Sequence, residues 1–168
     1  MVIPLEVKLA WAVRWNNVNK VREFMKDFDS IKNRERGYLS QVLPFLAVKN
    51  KNFEILKLLF ENKFIRENAP GCSLIRFAIE NGCGIEFIKL IYDRAKRFKK
   101  DEKEFFFHVA AGHGRIDVAK FLLERGWDIN RVYDKVTPLY WACREGKYRM
   151  VKFLIENGAD IRSKAYNF

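Results

Sequence analysis

Apolar residues recur along this chain at helical spacing, in paired blocks that return with a nearly constant period. One block of each pair centres on a small residue. These are Ala12, Ala47, Ala78, Ala110 and Ala142, which follow one another at 35, 31, 32 and 32 residues. Four residues after each alanine stands a turn position: Asn16, Lys51, Gly82, Gly114 and Gly146. The second block is more strongly apolar. It reads Val18, Val21, Phe24 and Met25 in the first copy, Phe53, Ile55, Leu56, Leu58 and Leu59 in the second, and Ile85, Phe87, Ile88, Leu90 and Ile91 in the third. The fourth has Ile116, Val118, Ala119, Phe121, Leu122 and Leu123, and the fifth Val151, Phe153, Leu154 and Ile155. The pattern predicts five helix-turn-helix units and an all-α chain.

Local chemistry marks the boundaries. Thr137 can cap a helix through its hydroxyl, while Pro138, which lacks an amide hydrogen, fits the first helical position. Ser73 is the equivalent cap in Gly71-Cys72-Ser73-Leu74-Ile75. Glycines at three of the turns, and at Gly126 and Gly158 after second helices, suit a left-handed backbone that a side chain resists. The run Thr137-Pro138-Leu139-Tyr140-Trp141-Ala142-Cys143-Arg144-Glu145-Gly146, with Met150 to Asp160 after it, nearly spells a T-P-L-H-x-A repeat. The phrase returns upstream from His108 to Gly114 and from Val118 to Asn130. The chain resembles the ankyrin-repeat family.

That resemblance implies an all-α ankyrin-repeat solenoid of about five repeats with short or irregular finger loops. It implies one domain over 1–168, with repeats at 4–36, 37–69, 70–101, 102–133 and 134–168, stacked as a curved slab with the first helices on its concave face. The match is densest over Glu104 to Lys164, runs through Gly71 to Gly82 in repeat three, and rests on helix pattern in the first two. Pro44 stands one residue late, and the stretches Asp29 to Ser40 and Asn62 to Pro70 depart from a standard connection, so irregular loops are expected there. Asp128 to Lys135 has the polar, turn-forming content of a finger hairpin.

Repeat arrays present surfaces, so the expected function is binding rather than catalysis. Ankyrin arrays bind along a line of outward positions before each turn, together with the finger tips. Here that line is Arg14, Trp15, Lys49, Asn50, Asn81, His113 and Arg144, joined by Trp127 after Gly126 and by Tyr133 at the finger. The aromatic residues on it are either partner anchors or local packing. The 168 residues carry 32 basic and 21 acidic side chains, a formal charge of +11 with no basic tail to explain it. Such a surface favours an acidic protein partner for an inhibitor or decoy, with nucleic acid or another polyanion as the alternative. The densest basic segment holds Arg94, Lys96, Arg97, Lys99 and Lys100. It reads as an extension of the second helix of repeat three, with a nuclear-import segment or a phosphate-contacting ridge as functional alternatives.

Other chemistry finds no support. There is no G-x-S-x-G, H-E-x-x-H or phosphate loop, so the chain is expected not to be an enzyme. His108 and His113 lie at no metal-ligand spacing, so no metal or cofactor is expected. The resemblance instead makes His108 a hydrogen-bonding residue between repeats. Cys72, Cys83 and Cys143 are odd in number, lack C-x-x-C spacing and read as buried thiols. No apolar run reaches membrane length, and Met1 to Glu6 lacks the basic start of a secretion signal, so the expected location is intracellular, cytoplasm with the nucleus open. Repeat five keeps core-type residues, so Ala165-Tyr166-Asn167-Phe168 is expected to cover it in a monomer, with a weak homodimer through that repeat as the alternative.

Overall fold

The computed structural model describes residues 3–62, 71–94 and 100–162, with the backbone alone at 71–72 and 100–104. Among the described residues are ten α-helices and no strand. They are α1 (Leu5–Arg14), α2 (Val18–Met25), α3 (Asn33–Lys49), α4 (Phe53–Glu61), α5 (Gly71–Glu80), α6 (Ile85–Arg94), α7 (Lys100–Gly112), α8 (Ile116–Leu123), α9 (Pro138–Arg144) and α10 (Tyr148–Glu156). They pair in chain order, as the periodicity predicts. The chain forms two compact units, residues 1–97 and 98–168.

In the first unit α1, α3 and α5 pack successively, and α2, α4 and α6 form a second layer behind them. In the second, α7 packs on α8 and α9, and α9 on α10. All five marker alanines are buried, at 4% exposure or less. A methyl group is the largest side chain that lets backbones approach so closely. Both helices of each pair supply larger core residues, among them Leu9, Leu43, Phe106 and Phe107 from first helices and Leu56, Leu59, Ile88 and Ile91 from second ones, each contributing about 1.5–3 kcal/mol by leaving water.

Every predicted turn position has a left-handed backbone, including the two without glycine: φ is 59° at Asn16 and 52° at Lys51, against 62°, 68° and 64° at Gly82, Gly114 and Gly146. Thr137 caps α9 by accepting the amide of Tyr140 at 3.3 Å. Asn17 and Asn52 cap α2 and α4 in the same way, accepting the amides of Lys20 and Ile55 at 3.0 and 2.9 Å.

Four expectations need correction. Ser73 is no cap, because α5 already runs from Gly71 and places it within the helix. Asp29 to Ser40 is not a loop: α3 begins at Asn33 and carries Pro44 inside it. Arg36 anchors this early start by donating to the Ile31 carbonyl at 2.7 Å and to the Asp29 carbonyl, with its guanidinium over the Phe28 ring. The helix thereby outweighs the one hydrogen bond that Pro44 cannot make. Lys100 to Lys103 belong to α7 and not to α6, which is described as far as Arg94. Cys143 is exposed, whereas Cys83 is buried. Ala111, its counterpart one repeat earlier, is buried on the helix that α9 packs against, while no described helix covers the equivalent face of α9. The Cys72 side chain and Ala165 to Phe168 lie outside what is described, as do residues 63–70 of the second connection.

Candidate interaction surface

In the first unit the end of α1 meets the end of α3. Asn50 donates through Nδ2 to the carbonyls of Val13 and Arg14, at 3.0 and 3.3 Å, which brings Arg14 and Trp15 beside Lys49 and Asn50. Asn50 is thereby half-buried and committed to joining repeats. Arg14, Trp15 and Lys49 are left to solvent, with Trp15 76% exposed. Asn81 is half-buried and turns back on its own helix, donating to the Phe77 carbonyl at 2.8 Å.

Two aromatic residues absent from the predicted line enlarge this surface. Trp11 is 52% exposed and Tyr38 68% exposed. The signal for Trp11 was present in the sequence, since it stands four residues before Trp15 and so on the same side of α1. Trp11 forms a ridge with grooves on both sides. Toward α2 the groove encloses about 420 Å³ and is lined by Lys8, Trp11, Ala12, Trp15, Lys20 and Phe24 among others. Toward α3 one groove is bounded by Ala10, Arg14 and Leu46, and another by Glu6, Arg34, Glu35 and Tyr38. Lys8, Arg14 and Lys20 have no ion-pair partner among the described residues. Arg22 and Arg76, by contrast, are paired, with Glu54 at 2.6 Å and Glu80 at 2.6 Å.

In the second unit the predicted aromatics are engaged with their neighbours. Trp127 stacks on Phe106 with ring centroids 6.0 Å apart. Tyr133 packs against Phe105 at 5.0 Å and His108 at 5.8 Å. It flanks the finger tip rather than forming it, because Tyr133 and Val136 exchange backbone hydrogen bonds of 3.0 and 3.1 Å around a turn at Asp134 and Lys135. His108 is fully buried and donates through Nε2 to the Val136 carbonyl at 3.0 Å, so the finger is fastened to α7. A carbonyl only accepts, which places the proton on Nε2. Trp141 is half-buried over the end of α7, where a Cβ at Gly112 would come within 3.1 Å of its Cε3. Arg144 lies over the Trp141 ring at 5.4 Å and beside Glu145 at 3.6 Å. His113 is exposed.

Of the basic ridge, Arg94 is exposed, Lys96, Arg97 and Lys99 lie outside the described residues, and Lys100 is described by its backbone alone. No cluster of His, Cys, Asp or Glu able to hold a metal occurs among the described residues. Among the described residues Asp117 is the one carboxyl with a resolved shift: hydrogen bonds and charge from Arg115, at 2.8–2.9 Å, hold it below its ordinary value, together with the Val118 and Asp117 amides and against the effect of burial. It is a structural pair at the start of α8, not a tuned acid.

The model of ankyrin repeats in three copies matches residues 75–165, more than half of the chain. The chain belongs to the ankyrin-repeat family. An ankyrin repeat protein of fowlpox virus (strain NVSL) is 31% identical over 102 residues, which cover 60% of this chain and 17% of that protein's length. The crystal structure of the ankyrin repeat domain of Bcl-3, described as a member of the IkappaB protein family, superimposes with a TM-score of 0.69 at 22% identity, over 98% of this chain and 75% of that one. An ankyrin array is a protein-interaction scaffold. No helix among the described residues is long and apolar enough to cross a membrane.

Proposed function

We propose that this ankyrin array binds an acidic protein partner inside the cell, as a monomer, and occupies a regulatory surface as an inhibitor or decoy. One observation carries the reading. Of the four tryptophans, Trp127 and Trp141 contact other rings, whereas Trp11 and Trp15 stand in solvent without a ring partner among the described residues, beside the unpaired cations Lys8, Arg14 and Lys20. Large rigid aromatics bury much area at low entropic cost, and cations around them speed encounter with an acidic surface. Arg144 and His113 offer a second contact region in the other unit.

Affinity capture from the native cell, with nuclease treatment, tests this. The wild-type chain should retain an acidic protein that the Trp11→Ala, Trp15→Ala double variant loses. Retention by both chains would overturn the assignment. The charge of +11 also favours a polyanion as the second reading. A binder neutralising six phosphates would lose affinity with a log-log salt slope of about −5, independent of nucleic-acid sequence, whereas a protein interface responds less steeply.

A further inference from the structure

The groove between α1 and α2 has a composition that names its occupant. Its walls are Trp11 and Trp15, one turn apart on α1, facing Phe24 of α2, with Ala12 beneath. Lys8 and Lys20 stand among these residues, and no carboxylate lines the groove. The groove on the Tyr38 side of Trp11 differs, since Glu6 and Glu35 accompany Arg34 there and offset its charge. An anion-flanked apolar group is therefore accepted on one side of the tryptophan ridge and disfavoured on the other.

We infer that the α1–α2 groove is an anchor site for a short acidic segment of a protein partner, which inserts one aromatic or large aliphatic side chain between Trp11, Trp15 and Phe24. Carboxylates on either side of that anchor meet Lys8 and Lys20. This deepens the protein-partner reading and rests on it. Burying the anchor removes apolar surface of Trp11, Trp15 and Phe24 from water, and among the described residues the two lysines bear no ion pair that must first be broken. A second copy of this chain is a poor occupant, because a symmetric contact would set Lys8 and Lys20 against their own counterparts between two bodies of +11 charge. A phosphate chain is also poorly served: it needs a continuous track of cations, and this groove offers two, on helices that also carry Glu6 and Glu23.

The test uses the full chain and fluorescently labelled synthetic peptides read by anisotropy. Four probes suffice: an Asp/Glu-rich peptide with a central Phe, the same peptide with Ala at that place, its Lys/Arg-rich counterpart, and a single-stranded oligonucleotide. The acidic Phe peptide should bind at least tenfold tighter than its Ala form and than the basic peptide. Trp15→Ala, and separately Lys8→Glu with Lys20→Glu, should each weaken it tenfold or more. Reversal of Lys26 and Lys32, exposed cations that do not line the groove, should change it less than twofold. Equal losses from both lysine pairs would show diffuse attraction and overturn the groove assignment. Tighter binding of the oligonucleotide, with the same dependence on Trp15, would overturn the acidic-segment occupant. Either result leaves the native-cell capture free to stand or fail independently.

Discussion

The two turns without glycine should respond to glycine with opposite signs. Lys51 holds φ at 52°, its side chain is exposed and it makes no side-chain hydrogen bond among the described residues. A left-handed conformation costs an ordinary L-residue roughly 1–2 kcal/mol. Glycine removes that cost but adds about 0.5–1 kcal/mol of unfolded-chain entropy. Lys51→Gly should therefore stabilise the array by about 0.5–1 kcal/mol. Asn16 has nearly the same φ, yet asparagine tolerates that region better, and its Oδ1 accepts from Asn52 Nδ2 at 2.8 Å, joining the first two turns. Losing that bond costs about 0.5–1.5 kcal/mol, so Asn16→Gly should destabilise by a similar amount. Gly82→Ala isolates the backbone contribution: φ is 62° and an added Cβ meets no atom within 4 Å, so its loss of about 1 kcal/mol carries no steric share. Urea unfolding followed by circular dichroism measures all three. A rise for Lys51→Gly with falls for the other two is expected. A fall for Lys51→Gly, or one sign for both polar turns, would refute the reasoning.

Other outcomes follow from the second unit. His108→Ala should cost about 2–4 kcal/mol, by emptying a buried site and removing the bond to Val136; a thermal-melt loss under 1 kcal/mol, with the Tyr133 and Val136 amides still protected from exchange, would contradict its fastening role. Asn130 joins two loops by donating to Gly158 O at 3.2 Å and accepting from the Asp160 amide at 2.7 Å, so Asn130→Ala should cost about 1–2 kcal/mol and speed exchange of the Asp160 amide. Asp117 has a folded pKa held below the ordinary aspartate value by Arg115, so its ion pair stabilises the fold above that ordinary value and the contribution disappears as the pH falls through the lower, folded pKa. Asp117→Asn should thus lower stability slightly at pH 7, by less than about 1 kcal/mol because the pair is partly solvated, and should have no effect in strong acid; a loss that grew on acidification would reject the sign.

The sequence by itself determined the repeat. Helical periodicity, a methyl-sized residue in each first helix, and a turn four positions later are local requirements, and they held at Asn16 and Lys51 even where the side chain opposes the backbone. Thr137 and the left-handed glycines were legible for the same reason, since each acts within a few residues of itself. What a side chain faces is not local. Trp127 and Tyr133 have the same aromatic character as Trp11 and Trp15, but Phe106 lies beneath one and Phe105 beside the other, while Trp11 and Trp15 make no ring-ring contact among the described residues. Cys143 and Ala111 occupy equivalent places, and a packed helix buries one of them. Arg36 reaching back to the Ile31 carbonyl turns an apparent loop into the start of α3, a contact no spacing rule announces. The tertiary structure decided which aromatics and cations remain unsatisfied, because that depends on which neighbours the stack supplies, and those are the residues the proposed partner would meet.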